Sequence, residues 1–162
     1  MKRRKLITPQ LVAYLRHAFR LDWNGIHGAG HWARVRYNAL VLAGRNGANT
    51  RVVELFAFLH DAERRNDDRD PGHGLRASRL AAELNGRLVR ISDEEQALLE
   101  AACRGHSGGR SHDDLTVRTC WDADRLDLGR VGVRPDPDYL CTPKARDPAL
   151  IEEAWSRSRQ YW

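Results

Sequence analysis

The stretch that decides the fold covers residues 52–61, VVELFAFLHD, an apolar run that ends in a histidine beside an aspartate. The run is long enough for about three helical turns, and burying it fixes the backbone in front of the pair. His60 and Asp61 then present one neutral nitrogen ligand and one anionic oxygen ligand, a combination that suits a divalent metal ion of intermediate softness. The pair alone is a weak signal, because a histidine and an aspartate at a helix end often form only a solvated cap.

Composition indicates an ordinary globular protein. The chain has 162 residues, of which 41% are hydrophobic and 30% charged, so we expect residues 1–162 to form a single domain. No apolar run reaches the length of a membrane span and no signal-peptide core follows Met1, which favours a cytoplasmic protein without a membrane partner. The three cysteines are widely spaced and odd in number, which predicts free thiols.

The net charge of +5 comes mostly from the N-terminal tail, residues 1–5, which holds four of the 27 basic residues. The rest of the chain is nearly balanced against its 22 acidic residues. Aromatic residues do not alternate with basic ones as a platform for single strands requires, so nucleic acid is an unlikely partner. The sequence does not indicate an oligomeric state.

Helix caps and apolar spacing predict an all-α fold of about six to seven helices, with no run of alternating β-branched residues. We place the helices at about 9–20, 31–43, 50–61, 73–84, 93–103, 114–126 and 148–155. The fourth is expected to turn Leu75, Leu80, Ala81 and Leu84 inward. The tract of residues 129–148 is rich in proline and aspartate, which predicts irregular structure. It could form a loop that covers the surface or a lid over the site.

Candidate ligands lie at helix ends and tight loops. Four of the seven histidines have such positions: His31, His60, His73 and His106. Asp124 stands one turn after Trp121 in an otherwise apolar helix, and a carboxylate there needs a partner or a metal ion.

In this order, His31, then His60-Asp61, then Asp124 resembles the H…HD…D signature of the HD superfamily of metal-dependent phosphohydrolases. The resemblance covers roughly residues 26–130 and includes the apolar helix before His60 and the sequence DADRLD around Asp124. It implies an HD-domain helical bundle in which His31, His60, Asp61 and Asp124 bind a divalent metal ion.

Two further histidines resemble the extra ligands of dinuclear members of that superfamily. His73 begins a helix and His106 lies in a glycine-rich loop, so they are candidates for a second metal ion. The alternative roles are a residue beside a helix cap for His73 and a loop histidine bonded to backbone for His106. With no thiolate among the candidates, the resemblance implies one or two ions of Mn, Fe, Co, Ni, Mg or Zn per chain.

Arginines and a further histidine surround these candidates. Arg64 and Arg65 follow the ligand pair and could bind substrate phosphate through their guanidinium groups, or could instead pair with Asp67, Asp68 or Asp70 in a solvated loop. His27 competes with His31, four residues away, and is expected to line the pocket because the glycines between them disfavour an early helix. Arg34 could orient a ligand carboxylate by a hydrogen bond without itself contacting the metal ion.

The resulting hypothesis is a metal-dependent phosphohydrolase that acts on a nucleotide or another small phosphate ester through metal-activated water. Two alternatives remain. Some HD-fold proteins, such as myo-inositol oxygenase, use the same ligand order with two irons for oxygenation. The other is a non-catalytic binding module in which the metal is structural and the basic tail contacts nucleic acid.

Overall fold

A computed structural model of the protein describes residues 5–160, so most of the basic tail lies outside the described residues. The described part contains seven α-helices and two short 3-10 helices, and no β-strand. The helices are α1 (Pro9–Ala18), α2 (Ala29–Asn46), α3 (Thr50–Leu59), α4 (His73–Leu84), α5 (Asp93–Gly105), α6 (Leu115–Arg125) and α7 (Pro148–Ser158), with 3-10 helices at Leu128–Val131 and Pro137–Tyr139. The all-α prediction is confirmed.

Local capping chemistry sets most of these helix ends. The Thr8 side chain accepts from the backbone N–H of Leu11, and Ser92 and Glu95 form the expected capping box. Gly47 ends α2 in the left-handed region at φ 79°, where glycine is unstrained, whereas Gly44 lies inside the helix and does not stop it. The first helix ends at Ala18, two residues before the predicted end.

The apolar stretch forms α3 at the centre of the bundle. Six of its ten residues are buried, and α2, α5 and α6 pack around it. The donor groups bring the start of α2, the end of α3, the start of α4 and the ends of α5 and α6 together at one end of the bundle. Those are the ends that carry the candidate ligands.

One predicted core position is wrong. Leu75 is 38% exposed, while Ala77 is fully buried in its place. The reason is that His73, the first residue of α4, turns inward, so the buried face passes through positions 73, 77, 80, 81 and 84.

The irregular tract contributes to a second apolar cluster against α7. Leu140 and Ala145 are buried there with Leu42, Leu126 and residues of α7. The Asp122 carboxylate of α6 fixes the tract by accepting from the backbone N–H groups of Cys141 and Thr142. This part of the tract is therefore a packed covering segment.

Two smaller expectations concern the membrane and the thiols. No helix within residues 5–160 is both long and apolar enough to cross a membrane. Cys103, Cys120 and Cys141 are free thiols, as predicted, and the first two are buried.

Candidate metal centre

The first group of donors joins the starts and ends of three helices. The Nε2 atoms of His31 and His60 lie 3.0 Å apart. Asp124 Oδ1 lies 3.2 Å from His31 Nε2 and 3.5 Å from His60 Nε2. Both histidines are fully buried, so three ligand atoms converge on one enclosed point.

A second group of donors lies beside the first. The Nε2 atoms of His73 and His106 are 2.8 Å apart, and both side chains are buried. Asp61 Oδ1 lies 3.2 Å from His73 Nε2 and 3.4 Å from His106 Nε2. The structure therefore brings together the two histidines that the sequence offered only as candidates for a second ion.

Asp61 connects the two groups through its two carboxylate oxygens. While Oδ1 faces His73 and His106, Oδ2 lies 3.3 Å from His31 Nε2 and 3.5 Å from His60 Nε2. One carboxylate thus faces a pair of imidazoles with each oxygen, which is the arrangement of a bridging ligand.

The opposite nitrogen of each ring, Nδ1, is held by an oxygen acceptor. The pairs are His31 with Asp127 Oδ2 at 2.6 Å, His60 with the Phe56 carbonyl at 3.0 Å, His73 with the Asp70 carbonyl at 2.5 Å, and His106 with the Cys103 carbonyl at 2.7 Å. A carbonyl can only accept, so Nδ1 of His60, His73 and His106 carries the proton, and the Nε2 lone pairs of His73 and His106 face each other. Facing lone pairs at these distances repel unless they share a cation, and the donor set therefore fits divalent metal ions.

Asp127 is a residue that the sequence reasoning missed. Its carboxylate is 1% exposed, and Oδ1 accepts from Arg34 Nε at 2.7 Å while Oδ2 holds His31. Arg34 was expected to orient a ligand carboxylate, but the carboxylate it holds is that of Asp127, outside the candidate ligand set. The available signal was its place in the sequence DADRLD, in the turn just after α6 and three residues beyond Asp124.

Comparison with known proteins agrees with this geometry. No family model matches the chain, and no curated protein matches it. Among solved structures, the chain is similar to a predicted HD superfamily hydrolase from an uncultured Thermotogales bacterium, with a TM-score of 0.70 and 26% identity. The likeness covers 91% of this chain and 84% of that one.

The chain resembles the HD superfamily in both its fold and its donor set. The fold is matched over nearly the whole chain, and the predicted resemblance is confirmed. The likeness supports a metal-dependent hydrolase at the level of the superfamily.

The electrostatics of the HD centre keep its carboxylates ionised. Burial alone would raise the pKa of Asp61, but the surrounding histidines, His60 first, hold it well below its usual range. The pKa of Asp124 is also well below its usual range, because His31 and His60 outweigh the effect of burial. Burial and Arg130 lower the pKa of His31, yet three nearby carboxylates outweigh them and raise it to about 9. A proton on His31 thus supplies positive charge to the centre when no metal is bound.

The two arginines after the ligand pair differ in position. Arg64 lies against the centre: its Nε is 3.3 Å from Asp61 Oδ1, and its Nη1 donates to the carbonyls of Asn66 and Asp68. The Arg65 side chain is exposed, and only its backbone N–H is fixed, by Asp70. Among residues 5–160, neither side chain forms the alternative ion pair with Asp67, Asp68 or Asp70.

Two of those aspartates have other partners. Asp67 Oδ1 lies 2.7 Å from Nδ1 of buried His27, and Asp70 pairs with Arg76. Burial lowers the pKa of His27 more than Asp67 raises it, so this histidine is neutral near pH 7. His27 belongs to neither donor group.

Proposed function

We propose that this protein is a metal-dependent phosphohydrolase that acts on a nucleotide or another small phosphate ester through metal-activated water. The observation that carries the proposal is the position of Asp61, whose two oxygens each face a pair of imidazole nitrogens. The likeness to the HD superfamily supports the hydrolase class, and the phosphate ester is our inference from the charge around the centre.

The donors divide naturally between two ions. His31, His60 and Asp124 would hold one ion, and His73 and His106 would hold the other. Asp61 would contact both ions. Four imidazoles favour Mn, Fe, Co, Ni or Zn, because Mg²⁺ prefers oxygen ligands. Bound metal ions would acidify water towards neutral pH and neutralise phosphoryl oxygens.

Side chains of the loop after α3 would then bind the rest of the phosphate group. Arg64 is our first candidate, because its Nη2 has no hydrogen-bond partner within residues 5–160 while its Nε is anchored on Asp61. Such an anchored guanidinium is positioned before substrate arrives. Arg65 is exposed beside it and could contact the outer part of the substrate, and His27 would line the pocket through its contact with Asp67.

Metal content is the first measurement. Elemental mass spectrometry on untagged protein, purified without chelator, is expected to give near two ions per chain. Near one ion would return His73 and His106 to structural roles, and none after attempted reloading would contradict the metal centre.

Activity is then measured on metal-replete protein with phosphomonoesters, phosphodiesters, nucleotides and dinucleoside polyphosphates. Hydrolysis of at least one class, lost in a His60→Ala variant of unchanged fold, is the expected result. No turnover on the whole panel would contradict the phosphohydrolase.

The same donors would serve a diiron oxygenase, so the identity of the metal matters. Iron with a mixed-valent electron paramagnetic resonance signal and substrate-dependent oxygen uptake would favour that alternative. Metal without any turnover would favour a binding module, and deleting residues 1–5 would then have to weaken salt-dependent binding to RNA or DNA.

A further inference from the structure

A cleft of about 890 Å³ lies between the first turn of α2, the 3-10 helix Leu128–Val131 and the end of α7. Pockets of this size accept small organic ligands. Four arginines line it, Arg34, Arg130, Arg157 and Arg159, and no aspartate or glutamate is among its lining residues. The charged side chains that line the cleft are therefore all positive.

Most of that charge is not neutralised within the described part of the chain. Arg34 pairs with Asp127, but Arg130, Arg157 and Arg159 have no carboxylate within 4.0 Å among residues 5–160. Arg130 donates to the Ile26 and Asp127 carbonyls, each at 2.9 Å, and Arg157 donates to the Asn38 side chain. Such neutral acceptors position a guanidinium without cancelling its charge, so an anion in the cleft would gain from each one.

The Arg34 side of the cleft lies behind the metal centre. Arg34 contacts one oxygen of Asp127, whose other oxygen contacts Nδ1 of His31, while Nε2 on the opposite side of that ring faces His60. A ligand in the cleft therefore meets the outer side of this chain of contacts, away from the donor atoms.

The remaining walls suit an organic group attached to the anion. Tyr37 and Ile26 are 50% and 40% exposed although both are large and apolar. The Arg157 guanidinium lies 4.1 Å from the Tyr37 ring centre, which leaves one ring face for a ligand. A single aromatic ring does not form the row of stacking platforms that a nucleic-acid strand uses.

We propose that this arginine-lined cleft is a second binding site, which takes a phosphate-bearing small molecule with a ring or other apolar part. Phosphate would meet the guanidinium groups, and the apolar part would lie on Ile26 and Tyr37. The proposal does not depend on the activity of the metal centre.

The test is calorimetric titration of metal-loaded protein with adenosine 5′-(α,β-methylene)diphosphate, whose P–C–P linkage resists hydrolysis. Arg159→Gln changes an exposed side chain, and Arg157→Gln removes the guanidinium over Tyr37. Each is expected to weaken one binding event about tenfold with metal content unchanged, as loss of one charge-assisted contact predicts. Arg79→Gln, an exposed arginine on α4, is the matched control and should bind as the parent does.

Three results would overturn the proposal. One is equal affinity in the parent, both cleft variants and the control. Another is equal binding of adenosine without phosphate, which would show that the arginines do not select an anion. The third is a cleft-dependent affinity for a single-stranded oligonucleotide that exceeds that for the analogue, which would assign the surface to nucleic acid.

Discussion

At the scale of single residues, the centre depends on which nitrogen of each imidazole carries the proton and which nitrogen faces the other donors. Three of the four rings are fixed by backbone carbonyls of their own helix or the adjacent turn, at Phe56, Asp70 and Cys103. Those contacts follow from local helix geometry and survive most side-chain changes. The fourth ring, His31, depends on the Asp127 side chain, which a point mutation can remove.

We expect Asp127→Asn to weaken metal binding about 10- to 100-fold, since the amide keeps the shape but loses the charge that holds His31 and Arg34. Competition with a chromophoric chelator measures the affinity. Asp113→Asn, a change at an exposed aspartate, is the control and should leave the affinity unchanged. Equal affinity in both variants would show that Asp127 does not position His31.

Arg64→Gln tests the proposed phosphate contact. We expect KM to rise about tenfold or more with a smaller change in kcat, because the ground state and the transition state both carry phosphate charge. Steady-state kinetics on the best substrate from the panel gives the two constants separately. Arg69→Gln, an exposed arginine of the same loop, should behave as the parent does, and an unchanged KM in the Arg64 variant would remove it from the substrate site.

At the scale of the elements, sequence patterns located the helices well because their ends are capped by neighbours in the chain. Ser92 with Glu95 and Thr8 with Leu11 are contacts over three residues, which a sequence displays directly. Leu75 was misplaced because the buried face of α4 passes through His73, which lies beside Asp61 and His106, and His106 is 33 residues away in the chain. The contact between His27 and Asp67 could not be predicted from local spacing either, because the two residues are 40 positions apart in the chain.

Asp122 and Asp124 are only two residues apart in α6, but their side chains contact different parts of the molecule. Both lie in DADRLD, yet Asp124 faces the histidines while Asp122 accepts from Cys141 and Thr142 of the covering segment. The sequence analysis selected Asp124 by its position one turn after Trp121, and the resemblance to a family pattern then supported that choice. The structural role of Asp122 required knowledge of where residues 140–145 return to the bundle.

Asp122→Asn should destabilise the fold by about 2–3 kcal/mol, because the amide group cannot accept from both backbone donors and from Thr142 Oγ1 in a buried site. Urea denaturation followed by circular dichroism measures the free energy of unfolding. Asp138→Asn, at an exposed position in the same tract, should change it by less than about 0.5 kcal/mol. A loss for Asp122→Asn no greater than that of this control would mean that the segment is held by apolar packing alone.

At the scale of the whole molecule, the metal centre ties together five helices that local signals place only one at a time. The ligands come from the start of α2, the ends of α3, α5 and α6, and the start of α4, and four imidazoles lie buried among ionised carboxylates. The ligand order could be predicted from the sequence, but the bridging position of Asp61 could not, because it depends on how α4 and α5 pack beside α3. Stability and metal binding are therefore expected to be coupled.

Removal of metal should lower the melting temperature of the whole protein. An ion present at about 100 times its Kd stabilises the folded state by about 2.7 kcal/mol. For a chain of 162 residues that corresponds to a shift of about 5–10 °C. Scanning calorimetry before and after dialysis against dipicolinate measures it, with elemental analysis to show that the metal has gone.

Reloading is the control that separates loss of metal from damage by the chelator, and it should restore the original melting temperature. Asp127→Asn should show a smaller chelator-induced shift than the parent at the same free metal concentration, because its affinity is lower and the linkage term falls with the logarithm of the affinity. Asp113→Asn should show the full shift. A melting temperature that stays constant while elemental analysis finds the metal removed would mean that the protonated His31 and its carboxylates hold the five helix ends as firmly as bound metal ions do.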